Sequence, residues 1–178
     1  FIGYKHQSAL QKKDLEIVYG VGNNAGVLDY VCAWYVLASR FIKSNEHTKC
    51  AFVSTNSITQ GEQVAILWGP LFTKHGIQIN FAHQTFKWSN EGKGVAGVHC
   101  VIIGFSKEKN CEKYLFSYED PVAEPICKVA DNINAYLLNA PNIFITNRDS
   151  PLSNVPAMRF GNMPRDGGNL LLTKEERD

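Results

Sequence analysis

The sequence predicts an α/β fold in which an open sheet ends in an antiparallel hairpin. A helical pattern of apolar residues starts at Val27, and a short apolar strand follows at Cys50–Ser54. Two longer strands, Ile77–Gln84 and Val98–Phe105, come next, and only a polar, glycine-bearing loop separates them. Such a loop joins antiparallel neighbours, whereas a helix of crossover length, as precedes Ile77, joins parallel ones. We therefore expect the two longer strands to pair antiparallel, with Cys50–Ser54 parallel to the first of them.

The first predicted helix follows a polar N-terminal stretch. Residues 1–13 are polar and show no period, which predicts irregular structure, and Gly20–Gly26 has the composition of a loop. From Val27 onward, apolar residues recur at steps of three and four, as they do on one face of a helix. That face consists of Leu28, Val31, Tyr35, Ala38 and Ile42.

The second predicted helix lies between the short strand and Ile77. Its start has the pattern of a capping box, Thr59-Gln60-Gly61-Glu62, and the helix is expected to run through Trp68. Gly69-Pro70 should kink or break it, because proline lacks an N–H and its ring crowds the preceding turn. Gly76 is placed to end what remains before the next strand begins.

The region after the hairpin predicts a change of domain. Tyr114–Ser117 is expected to add an edge strand, and residues 123–138 are expected to form a loop leading to an irregular helix. Beyond Pro141, several prolines and glycines interrupt short apolar pieces. We therefore divide the chain into a domain over 1–140 and a connecting segment over 141–178.

The bulk composition narrows the classes of protein. With 44% hydrophobic and 20% charged residues, the 178-residue chain is typical of a soluble globular protein. No apolar run approaches the roughly 20 residues that cross a bilayer, so no membrane partner is expected. The net charge of +1 means that any nucleic-acid role must depend on local patches. The chain opens on Phe1, and a capping-box pattern at 173–176 starts a helix near its end, which predicts a piece of a longer protein.

The cysteines indicate a reducing compartment. They number five, and no C-x-x-C pair occurs among them. This is the pattern of reduced, packed thiols in a cytoplasmic protein rather than of a disulfide framework. His99 and Cys100 should point to opposite faces of their strand, so they are not expected to share a metal, and no metal site is predicted.

The stretch Phe81–Asn90 carries the strongest functional signal. An alternating strand runs into aromatic rings beside lysine and amide groups, a combination that suits stacking a flat base and recognising its polar edge. The alternative is a hairpin whose aromatic residues cap a hydrophobic core. Trp88 could stack on a neighbouring base or cap an apolar edge. Lys87 and Lys93 could contact phosphates or remain solvated loop charges.

Three other residues are given structural rather than catalytic interpretations. Glu62 is interpreted as a capping-box carboxylate and not as a catalytic base. Asp29 sits early in the predicted helix, where a negative charge favours the helix dipole. His83 is expected to face the core side together with Phe81, and we do not assign it as a base.

Seven blocks of the sequence match one family in order and nearly end to end. They are Phe1-Ile2-Gly3 with His6-Gln7-Ser8, Leu28–Val31, Phe52–Gln63, Phe81–Asn90, Val98–Gly104, Asn132–Asn134 and Phe160–Gly168. Through these blocks the chain resembles the MmeI-like (type IIL) restriction–modification enzymes, whose methyltransferase belongs to the N6-adenine class of DNA methyltransferases. The resemblance implies the C-terminal half of a doubly wound class I (Rossmann-like) methyltransferase sheet, whose last strand returns antiparallel. It also implies that a target-recognition region begins around Gly161.

The resemblance implies a base pocket as well. Phe1 corresponds to the final aromatic of the family's Asn-Pro-Pro-Phe motif, which stacks on an adenine whose amino group the Asn and a proline carbonyl hold. Phe86 falls where this class carries a second aromatic, on the other face of the flipped base. S-adenosylmethionine, the methyl donor, would bind mainly to upstream motifs, so the chain alone is expected to be inactive. The resemblance leaves open that the neighbourhood of Asp29 lines the cofactor pocket. The implied partners are double-stranded DNA with a flipped adenine and the rest of the same polypeptide.

Two other functions stay open on the sequence. The chain could be a non-catalytic DNA-binding or scaffold module of a larger assembly. It could also belong to a methyltransferase that acts on RNA or protein, because an adenine pocket does not by itself name the polymer. Asn-Pro-Pro directly before Phe1 would support the enzyme, and a different triplet would exclude it.

Overall fold

The computed structural model describes residues 2–20, 22, 24–43, 45, 47–88, 98–146, 148, 150–155 and 173–177. Its helices are α1 (Ala9–Tyr19), α2 (Cys32–Lys43), α3 (Glu62–Thr73) and α4 (Lys174–Arg177). Its strands are β1 (Cys50–Thr55), β2 (Gln78–Trp88), β3 (Val98–Ser106), β4 (Lys113–Ser117) and β5 (Ile126–Ala130). The chain divides into two compact units, Phe1–Thr146 with the sheet and α1 to α3, and Asn147–Asp178 with α4.

The strands form one sheet in the order β1-β3-β2-β4-β5. β3 runs antiparallel to both of its neighbours, β4 lies parallel to β2, and β5 returns antiparallel to β4. The predicted antiparallel pairing of Ile77–Gln84 with Val98–Phe105 is therefore confirmed. β1 and β2 run in the same direction, as expected, but the expectation that they are neighbours was wrong because β3 lies between them. Val101, Ile103 and Phe105 of β3 are all buried, and a strand this apolar suits the interior of a sheet.

The hydrophobic core lies between one face of the sheet and helices α2 and α3. The ring centroid of Tyr35 lies 5.1, 5.3 and 5.4 Å from those of Phe52, Trp68 and Phe105. The Tyr35 hydroxyl is 2.8 Å from Ser54 Oγ, so its polar tip is hydrogen-bonded inside the core. This packing fixes both helices against β1 and β3.

The predicted apolar face of the first long helix is confirmed, although α2 begins later than the pattern suggested. The buried members of that face are Leu28, Tyr35, Ala38 and Ile42. Residues 25–27 instead form a 3₁₀ turn, and Leu28 adopts an extended conformation (φ −87°, ψ 140°) before the helix starts at Cys32. A residue in that conformation cannot continue a helix, which separates the two pieces.

The N-terminal stretch is not irregular, contrary to the prediction for residues 1–13. Helix α1 begins after Ser8, whose hydroxyl accepts a hydrogen bond from the backbone N–H of Gln11. The Gln11 side chain accepts in return from the Ser8 backbone N–H at 2.9 Å. This reciprocal capping box satisfies two N–H groups that a helix start leaves unpaired. The Ser-x-x-Gln spacing was visible in the sequence and outweighs the weak apolar period.

The predicted capping box at 59–62 is not formed. Thr59 ends a 3₁₀ turn, and its hydroxyl donates to the backbone oxygen of Asn56. Gly61, with a φ of 60°, occupies the N-cap position of α3 without a side-chain cap bond. Glu62 is instead the first residue of the helix, where its charge favours the helix dipole.

Pro70 lies inside α3 and does not end it. The helix continues to Thr73 because the side chains on both sides of the proline are buried. Trp68 is 0% and Leu71 1% exposed. Burial of such side chains stabilises by about 1.5–3 kcal/mol each, which offsets the roughly 3 kcal/mol cost of an interior proline.

Residues 113–130 form a second hairpin. Tyr114–Ser117 is a strand, as predicted, but it lies inside the sheet because β5 pairs with its outer side. The loop and irregular helix predicted within 123–138 are wrong, since β5 occupies Ile126–Ala130 and its β-branched Ile126 and Val129 favour a strand. The chain then turns at Asn134, whose Oδ1 accepts hydrogen bonds from two backbone N–H groups further along the turn.

Phe81 and Gly104 join β2 and β3 on the sheet face opposite the core. The two residues are directly paired across the strands. A Cβ atom added to Gly104 would lie 2.0 Å from Cε1 of the Phe81 ring. The ring therefore occupies the space that any other side chain at 104 would need.

Candidate functional site

The candidate site lies at the edge of the sheet where β1, β2 and β4 end. These three strands run in the same direction, so their carboxyl ends meet at one edge. Open α/β sheets bind ligands beyond that edge. Thr55, Phe86 and Ser117 are at or near the three strand ends, and we call this region the carboxyl edge.

A bulge in β2 decides which way Phe86 faces. The register runs from the pair His83–Ile102 to the pair Phe86–Cys100, so β2 carries one extra residue between them. Strict alternation would place His83 and Phe86 on opposite faces, whereas the bulge puts them on the same one. Phe81 and His83 share that face, as predicted. It is the face opposite the helix-covered core, which corrects the expectation that they point to the core side.

Aromatic side chains surround Phe86 on this face. The His83 ring is stacked on Phe116, with centroids 4.2 Å apart and an interplanar angle of 3°. Tyr118 lies next to both His83 and Phe86. Its hydroxyl is 2.7 Å from His83 Nδ1, and its ring stacks on Phe86 with centroids 5.5 Å apart and an interplanar angle of 29°. Trp88 is a further neighbour of Phe86, with centroids 6.2 Å apart and tilted ring planes. Phe86 is thus a half-buried ring with two aromatic neighbours, Tyr118 and Trp88.

The protonation states of His83 and Tyr118 fit one hydrogen bond. Burial lowers the pKa of His83, which favours the neutral imidazole. Burial, and then the nearby charge of Glu124, raise the pKa of Tyr118, which keeps its hydroxyl protonated. A neutral imidazole and a protonated phenol can share this hydrogen bond with either group as the donor, depending on the His83 tautomer. In both cases the bond fixes the orientation of the Tyr118 ring that stacks on Phe86.

Asp29 holds the N-terminal segment at the same edge. Its Oδ1 accepts from the backbone N–H of Tyr4 at 3.2 Å, and its Oδ2 accepts from the Ser57 hydroxyl just after β1. The backbone N–H of Tyr30 donates to the carbonyl of Ile2 at 3.0 Å. The Asp29 carboxylate is 7% exposed and is used for this anchoring rather than for a helix terminus.

A polar cleft of about 290 Å³ opens beside these groups. Its lining includes Gln60, Gln84, Thr85 and Tyr118. Gln84 Nε2 donates to the backbone oxygen of Leu137 at 2.8 Å, which leaves its side-chain oxygen toward further partners. Amide and hydroxyl groups of this kind can pair with the polar edge of a flat ligand.

The sequence-predicted residues are brought together only in part. Phe86, Lys87 and Trp88 all lie at the end of β2, and the latter two are exposed. The Lys87 backbone N–H donates to the Pro121 carbonyl at 2.8 Å, which ties the strand end to the following loop. Phe1 and Lys93 lie outside the described residues.

Sequence reasoning missed Tyr118 and Phe116. Phe116 lies within the predicted strand at 114–117 and Tyr118 directly follows it, so alternation places them on one face of that strand, but it does not show which strand lies beside them. Among the residues that the structure describes, no three His, Cys, Asp or Glu side chains are grouped as metal ligands would be. No helix in that part of the chain is both long and apolar enough to cross a membrane.

The fold and the site together indicate a class of ligand-binding domain. An open α/β sheet with aromatic rings and a polar cleft beyond its carboxyl edge is typical of domains that bind a flat, polar ligand there. The comparisons with known families are more specific. Residues 1–117 match the MmeI DNA-methyltransferase domain, and residues 139–178 match the MmeI target recognition domain. The chain belongs to the MmeI family of DNA methyltransferases, as the sequence blocks had indicated.

Two relatives extend this result. DNA methyltransferase A of Bacillus subtilis (strain 168) is 45% identical over 177 residues, which cover 99% of this chain and 19% of that protein. The solved structure of the type IIL restriction–modification enzyme MmeI in complex with DNA is 50% identical, with a TM-score of 0.87 over 99% of this chain and 24% of that one. The chain thus spans about a fifth to a quarter of the length of these relatives.

Proposed function

We propose that this chain is part of a restriction–modification enzyme that transfers a methyl group from S-adenosylmethionine to the N6 amino group of adenine in double-stranded DNA. Family membership and the name of the Bacillus relative support the DNA methyltransferase. The observation that carries the adenine pocket is the position of Phe86, a half-buried ring fixed by Tyr118 at the carboxyl edge. This is where an open α/β sheet binds its ligand.

We infer that the sheet is the C-terminal half of a doubly wound class I methyltransferase sheet. The antiparallel strand β3 between two strands of common direction supports this, because the last strand of that fold returns antiparallel. The division at 140 into a methyltransferase part and a connector to the target-recognition region remains a proposal. The match to the target recognition domain begins at residue 139.

Phe86 is the proposed stacking partner for one face of a flipped adenine. An enzyme that acts on a base must take it out of the duplex, and stacking on an aromatic ring stabilises the extruded base. Phe1 is the proposed partner for the other face. The residue that follows it in the sequence, Ile2, accepts a hydrogen bond from the backbone N–H of Tyr30 beside the carboxyl edge.

Positioning supplies most of the proposed catalysis. The methyl donor provides an electrophilic sulfonium methyl group, and the adenine amine must be aimed at it. The carboxylate of Asp29 accepts hydrogen bonds from Tyr4 and Ser57, which anchors the N-terminal segment at the carboxyl edge. Because the family resemblance assigns the donor-binding motifs to upstream residues, we propose that the donor binds mainly to residues outside this chain and that the chain alone does not methylate DNA.

The exposed side chains around the strand end are proposed to contact the nucleic acid. Lys87 and Lys93 would contact phosphates, whereas Trp88 would stack on a neighbouring base. These contacts place the duplex without naming its sequence, because phosphate contacts carry no direct sequence information.

Replacement of Phe86 in the full-length enzyme tests this function. Phe86→Ala should weaken capture of the flipped base by about 1–3 kcal/mol, since one stacking contact is lost. Fluorescence of 2-aminopurine at the target position and the methylation rate measure this loss. Phe86→Tyr and Phe86→Trp are the controls and should have milder effects because they keep a ring.

A folded Phe86→Ala enzyme with unchanged base capture and rate would show that Phe86 only packs against the sheet. Methylation assays on duplex DNA, single-stranded RNA and protein would show which polymer is the substrate. Absence of methylation on all three, with DNA binding retained, would favour the non-catalytic binding module.

A further inference from the structure

A basic groove lies at the opposite edge of the sheet, where β1 and β2 begin and β3 ends. We call it the amino-edge groove, and its volume is about 870 Å³. Its lining includes Lys49, Lys74, His75, Lys107, Glu108 and Lys109. These residues come from three separate parts of the sequence, namely the residue before β1, the turn between α3 and β2, and the segment after β3. The sheet topology therefore assembles the groove.

The charge of the groove is strongly positive. Its described lining contains four lysines, and Glu108 is the one carboxylate among these lining residues. Glu108 is paired with Lys49 at 2.6 Å. The whole chain has a net charge of only +1, so this concentration is local and not a result of overall composition.

The pKa of His75 reflects the same local concentration of positive charge. Its pKa is lowered, first by burial and then by the charges of Lys74, Arg40, Lys43 and Lys107. Cations from α2, α3 and the end of β3 therefore act together at this point. Such a field attracts an anionic partner and speeds its association.

The chemistry of the lining selects among anionic partners. No described lining residue is a Phe, Tyr, Trp, Leu, Ile, Val or Met. Protein partners depend on buried aromatic or apolar anchors and make little use of lysine, while single-stranded nucleic acid needs rings on which its bases stack. The phosphates of a duplex need neither, because flexible cations suffice to neutralise them.

The groove lies far from the carboxyl edge. β2 contains 11 residues between the two edges. At about 3.3 Å per residue, this corresponds to roughly 35 Å, or about one turn of a DNA duplex. A duplex segment in the groove is therefore not the segment that supplies the flipped base.

We propose that the amino-edge groove binds the phosphate backbone of duplex DNA, without sequence recognition, at least about one helical turn from the base in the pocket. The inference depends on the proposed function, since a DNA methyltransferase brings duplex DNA to this chain. The bound segment belongs either to the flank of the same duplex or to a second duplex. Both present the same phosphates.

The test measures DNA binding by the full-length enzyme without a methyl donor. Fluorescence anisotropy gives the affinity for a labelled duplex of about 40 base pairs, several helical turns long, at salt concentrations from about 50 to 200 mM. Lys74→Gln/Lys109→Gln should reduce the slope of log affinity against log salt by about two, since each lost phosphate contact removes about one. Lys128→Gln, a change at an exposed lysine of β5, should leave the slope unchanged.

Duplex length separates the two sources. If the same duplex reaches the groove, a duplex of about 12 base pairs should show no difference between the variants, since it extends little beyond one turn. If a second duplex binds, the difference persists with the short one. Equal slopes for the double variant and Lys128→Gln on both duplexes would overturn the proposal. Polyglutamate serves as a probe for an acidic protein partner. If the double variant loses polyglutamate binding while its DNA salt slopes stay unchanged, the proposal is also overturned, and the groove binds an acidic protein instead.

The proposed methylation is measured separately on saturating DNA. The double variant should keep the wild-type rate, because neither lysine lies near the pocket. If the wild-type enzyme does not methylate DNA but the variants still differ in salt slope, the proposed methyltransferase function is wrong and the proposed DNA binding by the groove stands.

Discussion

The two edges of the sheet differ in the chemistry that the same strands bring to them. At the carboxyl edge, Phe86, Tyr118 and His83 form ring contacts and a hydrogen bond that fix their orientation. At the amino edge, lysines with long, flexible side chains surround an open groove. Rings in fixed orientations suit a partner whose shape matters, whereas mobile cations suit one whose charge matters. One sheet thus offers a selective site and an unselective one.

A substitution in the middle of the sheet should affect both edges together. Gly104→Ala places a Cβ atom against the Phe81 ring and should lower the free energy of unfolding by about 3 kcal/mol, near the upper end for overpacking. Urea denaturation measures the effect. Gly69→Ala is the control, because its Cβ meets nothing within 4 Å and alanine favours the helix. Equal stability of both variants would mean that the ring moves aside without cost.

Changes at Tyr118 should act on the carboxyl edge alone. Tyr118→Ala removes the ring that stacks on Phe86 and should weaken base capture by the full-length enzyme about tenfold, within the range for an aromatic contact. Tyr118→Phe keeps the ring and loses only the hydrogen bond to His83, worth about 1 kcal/mol. 2-Aminopurine fluorescence compares the two. If Lys74→Gln weakens base capture as much as Tyr118→Ala does, the two edges do not act separately.

Acid should destabilise the fold through both His83 and His75. Each has a lowered pKa in the folded protein, so below the unfolded value near 6.5 the unfolded chain binds more protons. The stability contributed by these neutral rings is fully present above that value and is lost as the pH falls through the folded pKa values. His83→Gln should flatten the fall in stability between neutral and acidic pH. An unchanged pH profile would show that His83 is protonated equally in both states.

Added salt should change the pKa of His75 more than that of His83. This is the smallest of the four effects predicted here. Burial and four cations lower the pKa of His75, whereas only burial lowers that of His83. Screening reduces the effect of the cations, so added salt should raise the pKa of His75 and leave that of His83 nearly unchanged. NMR titration of the two rings at low and high salt measures this. Parallel shifts would show that the field at the amino edge is not distinctive.

The sequence predicted features that depend on local pattern. The core face of α2, the hairpin of β2 and β3, and the strand at Tyr114–Ser117 all follow from apolar periods and loop length. Of the predicted kink or break at Pro70, the break does not occur, because buried neighbours on both sides keep the helix continuous to Thr73. The prediction failed at residues 123–138, where a strand of only five residues lies at the edge of the sheet and is too short to give a clear period.

The sequence pointed to some residues of the candidate site but not to its geometry. Lys87 and Trp88 were identified from the aromatic and cationic residues at the predicted strand end, whereas the role of Phe86 came from the resemblance to the MmeI-like family. Alternation would have placed Phe86 and His83 on opposite faces, and only the bulge in β2 brings them together. Tyr118 reaches Phe86 because β4 pairs with β2, a contact between distant parts of the chain that no local pattern announces.

The central place of β3 has a consequence for how the chain is made. In the described part of the protein, β1 pairs with no other strand, and β3 is also one of the two neighbours of β2. As the chain leaves the ribosome, β1 and β2 therefore emerge with apolar faces and unpaired edges, and the sheet cannot be completed around them until Ser106 has followed. This interval exposes the unfinished domain to aggregation, and its length is set by the time needed to synthesise the segment from β1 through β3.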